Sequence, residues 1–517
     1  MPAAPPAGRP SPSPLVMKPQ DHAQQGANPA STPQRHRVIV VGTGFSGLCM
    51  GVKLREAGED DFVLLERAHE VGGTWRDNTY PGCGCDVPSH LYSFSFAPNP
   101  NWSRLYAPQA EILAYLKDVA RRFDLIRHIR FGTNLVGARY DETRRLWVVR
   151  AEDGRVFEGE VLVSGMGGLS NPLVPDLPGL ARFRGRVFHS ATWEHDHDLS
   201  GRRVAVMGSG ASAIQFVPAI APLVDRLDYY QRTPPWVIPK DDRPLTERER
   251  ADFAAHPWRQ QMQRLRQYWL MEARFLAFKY KPEWMQLVAR MGRHRIERSI
   301  RDPQRRAQVT PDYTPGCKRL LISNDYYPAL ARTNVDVITD GIREVTETGI
   351  VTQDGTLREV DTLIFGTGFK VADPIPKGTV YGRGGLDLAD AWRDGPEAYM
   401  GIAVAGFPNF FMLMGPNTGL GHNSMVFMIE SQAHYIVEAL KAMRERRLRT
   451  LEVRPAAQTR FVNEVQQQLQ RTVWQSGCKS WYLTAQGRNI SLWPGFTFTY
   501  RIKTRRFNLQ PYRSEPA

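Results

Sequence analysis

Two stretches of this chain have the residue types and spacing to hold a dinucleotide. Residues 37–66, RVIVVGTGFSGLCMGVKLREAGEDDFVLLE, and residues 203–233, RVAVMGSGASAIQFVPAIAPLVDRLDYYQRT, each pass from a β-branched run through close-set glycines into a helical pattern. The turns read Gly42-x-Gly44-x-x-Gly47 and Gly208-x-Gly210-x-x-Ala213. The first glycine makes the turn, the second lets a pyrophosphate approach bare backbone, and the third small residue lets helix pack on strand. The pyrophosphate then lies at the helix N-terminus, where unpaired N–H groups and the dipole favour an anion. The copies differ at the end of the following strand. Glu66 offers the first a carboxylate for ribose hydroxyls. The second has Gln231-Arg232 and no acid; a guanidinium there can bind a 2′-phosphate that a carboxylate would repel. The first turn is therefore expected to hold FAD and the second NADPH.

The elements that must position these turns can be laid out along the chain. Val38 to Val41 and Val204 to Val206 read as buried parallel strands. A glycine-rich segment with little periodicity follows Glu66, through Val71-Gly-Gly-Thr-Trp75 and Tyr80-Pro-Gly-Cys-Gly-Cys-Asp-Val87; loops of this length inside a compact domain are commonly functional. A helix is expected near Gln109 to Phe123, then strands around 131–149 and 155–164, then a proline-rich linker over 171–179. The expected layout is α/β, with two Rossmann-like dinucleotide-binding domains and a helical insertion in the second. The boundaries are 1–34 for a disordered tail, 35–166 and 385–517 for two segments of an FAD domain, and 167–384 for an NADPH domain with its insertion at 241–316.

Composition bounds the rest. The 517 residues are 42% hydrophobic and 23% charged, as in soluble globular proteins with two or three cores. The five cysteines are scattered and odd in number, which points to the cytoplasm and to no disulfide framework. Neither Cys83-Gly-Cys85 nor His195-Asp-His197 has metal-site spacing, and no metal is expected. The run around Ile402 to Met414, broken by Pro408, reads as a buried strand pair too short to span a bilayer. A net charge of +14 invites a nucleic-acid partner, but no such motif accompanies it. Residues 241–310 alone hold 16 Lys and Arg against 9 Asp and Glu, with Trp258, Met262, Leu265 and Trp269 at helical spacing. Core packing under a solvated basic face is the plainer reading; weak contact with a membrane surface or an acidic partner is the alternative.

Between the two turns lies Phe183-Arg-Gly185-Arg-Val-Phe-His189-Ser-Ala-Thr-Trp193. It resembles the FxGxxxHxxxW fingerprint of type I Baeyer–Villiger monooxygenases, a group of FAD- and NADPH-dependent flavoproteins. GGTW, YPGxxCD, QRTP, GCKR and a late glycine-ended strand fall in the family's order over residues 37–500. Two positions depart from the pattern: Glu194 follows the fingerprint tryptophan, and the late strand ends in Gly366-Thr-Gly. Neither removes a chemical group.

The resemblance implies hydride delivery from NADPH to FAD, reaction with O2, and a C4a-peroxyflavin that attacks a small-molecule ketone to give an ester or lactone. It assigns the oxygenation-site cation to Arg319 of Gly316-Cys-Lys-Arg319, and the carboxylate that positions it to Asp86. A guanidinium suits this role because it stays protonated. On the FAD side the resemblance implies contacts from Gly42, Gly44, Phe45, Ser46, Gly47, Glu66, Gly73, Thr74, Trp75, Asp86, Tyr92 and Leu135. On the NADPH side it implies Ser209, Gly210, Ala211, Ser212, Ala213, Gln215, Arg232, Thr233 and Lys318, with Met425 toward substrate. His189 and Trp193 are expected to anchor the joint between domains more than to catalyse. Two other outcomes fit the same turns: oxygenation of amines or sulfides, and a flavin- and NADPH-binding redox protein without oxygenation.

Overall fold

The computed structural model describes residues 32–370 and 375–517. The expected tail therefore lies almost wholly outside the described residues, and Gln34 already opens a strand. That strand, β1 (Gln34–Val41), is followed by α1 (Phe45–Glu56), β2 (Phe62–Leu65), α2 (Thr74–Asp77) and α3 (Gln109–Arg122). Next come β3 (Ile129–Arg130), β4 (Leu135–Asp141), β5 (Leu146–Ala151) and β6 (Val156–Ser164). Val38, Ile39 and Val40 are fully buried, as expected of a parallel strand covered on both faces.

A second sheet starts with β7 (Arg186–His189) and β8 (Arg203–Met207), then α4 (Ala213–Ile220), β9 (Arg226–Tyr230) and the short β10 (Val237–Ile238). Four helices follow: α5 (Glu247–Ala255), α6 (Pro257–Ala273), α7 (Met285–Ser299) and α8 (Pro303–Val309). The chain rejoins through β11 (Leu321–Ile322), α9 (Tyr326–Leu330) and β12 (Val335–Ile338). A small antiparallel sheet of β13 (Ile342–Val345), β14 (Gly349–Thr352) and β15 (Leu357–Glu359) precedes β16 (Thr362–Phe365). The five-stranded order is β12-β9-β8-β16-β7, parallel throughout. The fingerprint segment thus supplies an edge strand of this sheet in addition to the connection.

The chain returns to the first sheet at β17 (Val380–Tyr381), which pairs with β4 a few residues ahead of the expected 385. After α10 (Leu388–Ala391), β18 (Phe410–Met412) pairs with β6. The first sheet therefore runs β17-β4-β5-β6-β1-β2-β3, with β18 also on β6. The expected strand pair over 402–414 is one strand; Tyr399, Ala403 and Phe411 make only isolated bridges, because Pro408 and a left-handed Asn409 interrupt the run. The long α11 (Met425–Glu445) packs on α1, α12 (Pro455–Leu469) follows, and α13 (Thr497–Thr504) packs on α11.

Candidate active site

Each glycine turn is built by steric exclusion. Gly42 has φ +96°, and a side chain on it would place Cβ 2.8 Å from the Gly165 carbonyl oxygen at the end of β6. Gly208 repeats this with φ +110° and 2.3 Å to the oxygen of Gly366 at the end of β16. A Cβ on Gly47 would lie 1.8 Å from the Gly42 oxygen, so α1 can sit this close to β1 only with glycine there. Nothing lies within 4 Å of a Cβ built on Gly210. That backbone face is open, as close approach of a pyrophosphate requires.

Around the first turn, Ser46 is buried at the start of α1, and Gly73 packs on Gly44 just ahead of Thr74 and Trp75 in α2. Phe45 and Trp75 both meet Tyr92 edge-on, with centroids 5.0 and 5.6 Å apart, and Trp75 Nε1 donates to Tyr92 Oη at 3.2 Å. Leu135 opens β4, half-buried. Glu66 is more engaged than its position suggested. Oε2 accepts from Thr43 N and Oγ1 at 3.1 and 2.6 Å, and Oε1 from Ala68 N and Arg76 Nη1 at 2.9 and 2.8 Å. Four donors fill a carboxylate's acceptor sites, so a ribose hydroxyl would take the place of one of the two side-chain donors, the Thr43 hydroxyl or the Arg76 guanidinium.

At the second turn, Ser209 Oγ donates to the Thr233 carbonyl at 2.9 Å, tying the glycine loop to the end of β9. Ala211 and Ser212 lead into α4, whose first residue Ala213 is fully buried. Lys318 and Arg232 come together here. Burial and then the Arg232 charge hold the Lys318 ammonium below its ordinary pKa, with only Asp312 opposing. Two cations sharing one place fit a phosphate dianion. Gln215, expected at the nucleotide, ties α4 to the loop over residues 80–84. Its Oε1 accepts from Tyr80 Oη at 2.9 Å, and its Nε2 donates to the Gly84 carbonyl at 3.0 Å. Gly82 fits under it only as glycine, since a Cβ would lie 2.6 Å from the Gln215 carbonyl oxygen.

The loop so fastened carries Asp86, whose Oδ2 accepts from Arg319 Nη2. Asp86 raises the Arg319 pKa further, so the guanidinium is charged at every working pH. The Arg319 side chain nevertheless keeps 41% of its surface open, so a ligand can reach a cation whose orientation is fixed. Tyr482 stands nearby, fully buried, its phenol pushed up to about 12 by burial against the lowering pull of Arg319. Met425 opens α11, partly buried at the loop ending in His422 and Asn423.

His189 is buried and its Nδ1 accepts from Ala191 N at 3.0 Å. Burial lowers its pKa to about 4, leaving a neutral ring. Trp193 packs between Phe188 and Phe216 at 5.2 and 5.4 Å. One expectation is overturned: Cys317 and Cys478 form a disulfide with Cα atoms 6.2 Å apart, while Cys49, Cys83 and Cys85 are free. The pair lies 161 residues apart in sequence, so no spacing pattern announced it. It straps the loop before Tyr482 to the segment bearing Arg319.

A family model described as flavin-binding monooxygenase-like matches residues 35–381. A Baeyer–Villiger monooxygenase of Pseudomonas aeruginosa is 54% identical over 487 residues, covering 94% of this chain and 92% of that protein. One of Streptomyces coelicolor is 49% identical over 479 residues, covering 92% of each. The chain belongs to the type I Baeyer–Villiger monooxygenases. Solved structures of the group superpose on it throughout. The closed crystal structure of cyclohexanone monooxygenase gives a TM-score of 0.84 at 29% identity, covering 94% of this chain and all of that one. Oxidized steroid monooxygenase bound to NADP gives 0.82 at 31% identity with 94% of this chain covered. Membership fixes the reaction class: an FAD-dependent monooxygenase consuming NADPH and O2 that inserts one oxygen beside a ketone carbonyl. The reading as a nucleotide-binding protein without oxygenation is set aside. Among the described residues no helix is long and apolar enough to cross a membrane.

Proposed function

We propose that this Baeyer–Villiger monooxygenase holds FAD at the first glycine turn and NADPH at the second, and oxygenates a small-molecule ketone beside Arg319. Bound flavin would supply the redox and oxygen-carrying chemistry; the chain supplies position, charge and exclusion of water. Gly44 and the N-terminus of α1 would hold one pyrophosphate, Gly210 and the N-terminus of α4 the other, with Arg232, Thr233 and Lys318 around the 2′-phosphate. Gln215 keeps the Asp86 loop in register with the second sheet. Asp86 in turn orients a guanidinium that stabilises developing negative charge without giving up its proton. Met425 would face the substrate. We place the reaction in the cytoplasm, where reduced nicotinamide coenzyme is regenerated.

The observation that carries this reading is the Asp86–Arg319 pair, joined across 233 residues and still open to a ligand. Simple nucleotide binding requires neither residue. Turnover of a ketone panel under ¹⁸O2 with product mass spectrometry tests it: one labelled oxygen in an ester or lactone is expected. Turnover of sulfides and amines with no ester from any ketone would favour the hetero-atom-oxygenating alternative and refute ours.

A further inference from the structure

Helix α6 is mounted inside out. At 100° per residue, Trp258, Met262, Leu265 and Trp269 span an arc of about 60°. The periodicity suits a core helix, yet all four face solvent, Trp258 with 62% and Trp269 with 52% of their surface exposed. The opposite face attaches the helix to the body through Tyr268 and Met271 in the core and through polar groups. Gln260 Nε2 donates to the Asn99 carbonyl at 2.6 Å, Arg264 Nη1 to those of His90 and Ser93 at 2.6 and 2.9 Å, and Tyr268 Oη bonds Thr497 Oγ1 at 2.9 Å. The expectation that this stripe packs in the core is thus corrected. Trp284, Leu287 and Met291, around the start of α7, are also exposed.

The surroundings select what could cover this face. Between residues 257 and 294 the exposed cations are Arg259, Arg266, Arg274, Lys281, Arg290 and Arg293, and the exposed acid is Glu283 alone. Arg259 and Arg266 border the apolar arc directly, Arg259 also pairing with Asp252 of the preceding helix. A second copy docked by two-fold symmetry would set these cations against themselves. Tryptophans, aliphatic side chains and flanking arginines on one helix match the headgroup boundary of an anionic bilayer. The face also connects inward by rings. Trp269 meets Phe498 at 6.0 Å, Phe498 meets Phe496 at 5.2 Å, Phe496 meets Phe275 at 5.0 Å, and Phe275 meets His422 at 4.8 Å, at the loop leading to Met425.

We propose that α6 and the start of α7 dock on an anionic lipid surface, so that ketones dissolved in lipid reach the substrate loop along this aromatic path. The docking stands on the exposed face alone; the delivery rests on the oxygenation site proposed above. Flotation of purified holoenzyme with vesicles of equimolar phosphatidylcholine and phosphatidylglycerol tests it, with pure phosphatidylcholine vesicles alongside. The enzyme is expected to float with the anionic vesicles and not the neutral ones. W258Q/M262Q/L265Q should weaken that partition at least ~100-fold, and R259Q/R266Q about 10- to 30-fold. Both variants should turn over a water-soluble ketone as the parent does, which reports intact folding separately from lipid binding. Equal flotation with neutral vesicles, no flotation of the parent, or unchanged flotation of the triple variant overturns the docking. So does a parent that forms dimers which the triple variant abolishes, since the face would then be covered by a second copy. Parent flotation without turnover of any ketone would instead count against the oxygenation site and leave the docking supported.

Discussion

Removing Arg232 probes the asymmetry between the two turns. In Arg232→Ala the 2′-phosphate of NADPH loses one charge-assisted contact, worth about 1.5–3 kcal/mol. At about 1.4 kcal/mol per tenfold, KM for NADPH should rise roughly 10- to 100-fold. Lys318 moderates the loss, because its ammonium is now held down partly by Arg232. With that neighbour gone its pKa moves back toward the ordinary value and it carries more charge at alkaline pH. The result should therefore fall toward the lower end, and Lys318→Ala in the same background should be strongly non-additive. NADH lacks the phosphate, so its KM should change by less than about twofold. The assay is the initial rate of coenzyme oxidation with each nicotinamide over a range of concentrations, repeated at higher salt, which should narrow the difference. A parallel rise in KM for both coenzymes would refute the assignment of this corner to the 2′-phosphate.

Lys318 itself gives a pH prediction. In the proposed site the protonated ammonium would bind the phosphate, and its pKa lies below the ordinary lysine value. Affinity for NADPH should thus fall as pH rises through that lowered pKa, and Lys318→Arg should remove the alkaline loss; identical profiles for both proteins would contradict it. Gly47→Ala should abolish FAD retention or soluble expression, because its Cβ has no room beside the Gly42 oxygen; a yellow, stable variant would show the turn is looser than described. Cys317→Ser should lower stability by about 2–4 kcal/mol in denaturant titration, matched by adding a reductant to the parent. Five titratable thiols in unreduced, unfolded parent would rule the disulfide out. Asp86→Ala should leave NADPH binding intact and lower ester formed per NADPH consumed, since it frees the guanidinium to reorient; an unchanged ratio would refute its positioning role.

What could be read beforehand, and what could not, follows from the range of the interactions. The glycine turns were legible because backbone sterics act over a few residues. Gly42, Gly47 and Gly208 are required where they stand whatever the rest of the chain does. The Asp86–Arg319 pair was legible only by resemblance, since no local rule joins residues 233 apart. The same limit hid the Cys317–Cys478 strap and the reach of Gln215 from α4 across to the loop at Gly84. Arg76 on Glu66 escaped notice because the irregular loop between them has no period to read. Periodicity found α6 but could not orient it: the spacing of Trp258, Met262, Leu265 and Trp269 is the same whether that stripe faces core or solvent. Its inward anchors, Gln260, Arg264 and Tyr268, fit their partners only through the tertiary contacts of Asn99, His90 and Thr497.

The role of one fixed cation is tested most directly by the ratio of ester formed to NADPH consumed in Arg319→Ala, measured beside the parent on the same ketone. With both glycine turns untouched, the variant should still oxidise NADPH and release the oxidising equivalents as hydrogen peroxide, with ester per NADPH falling at least ~100-fold. A variant that makes ester in the parental ratio would contradict it.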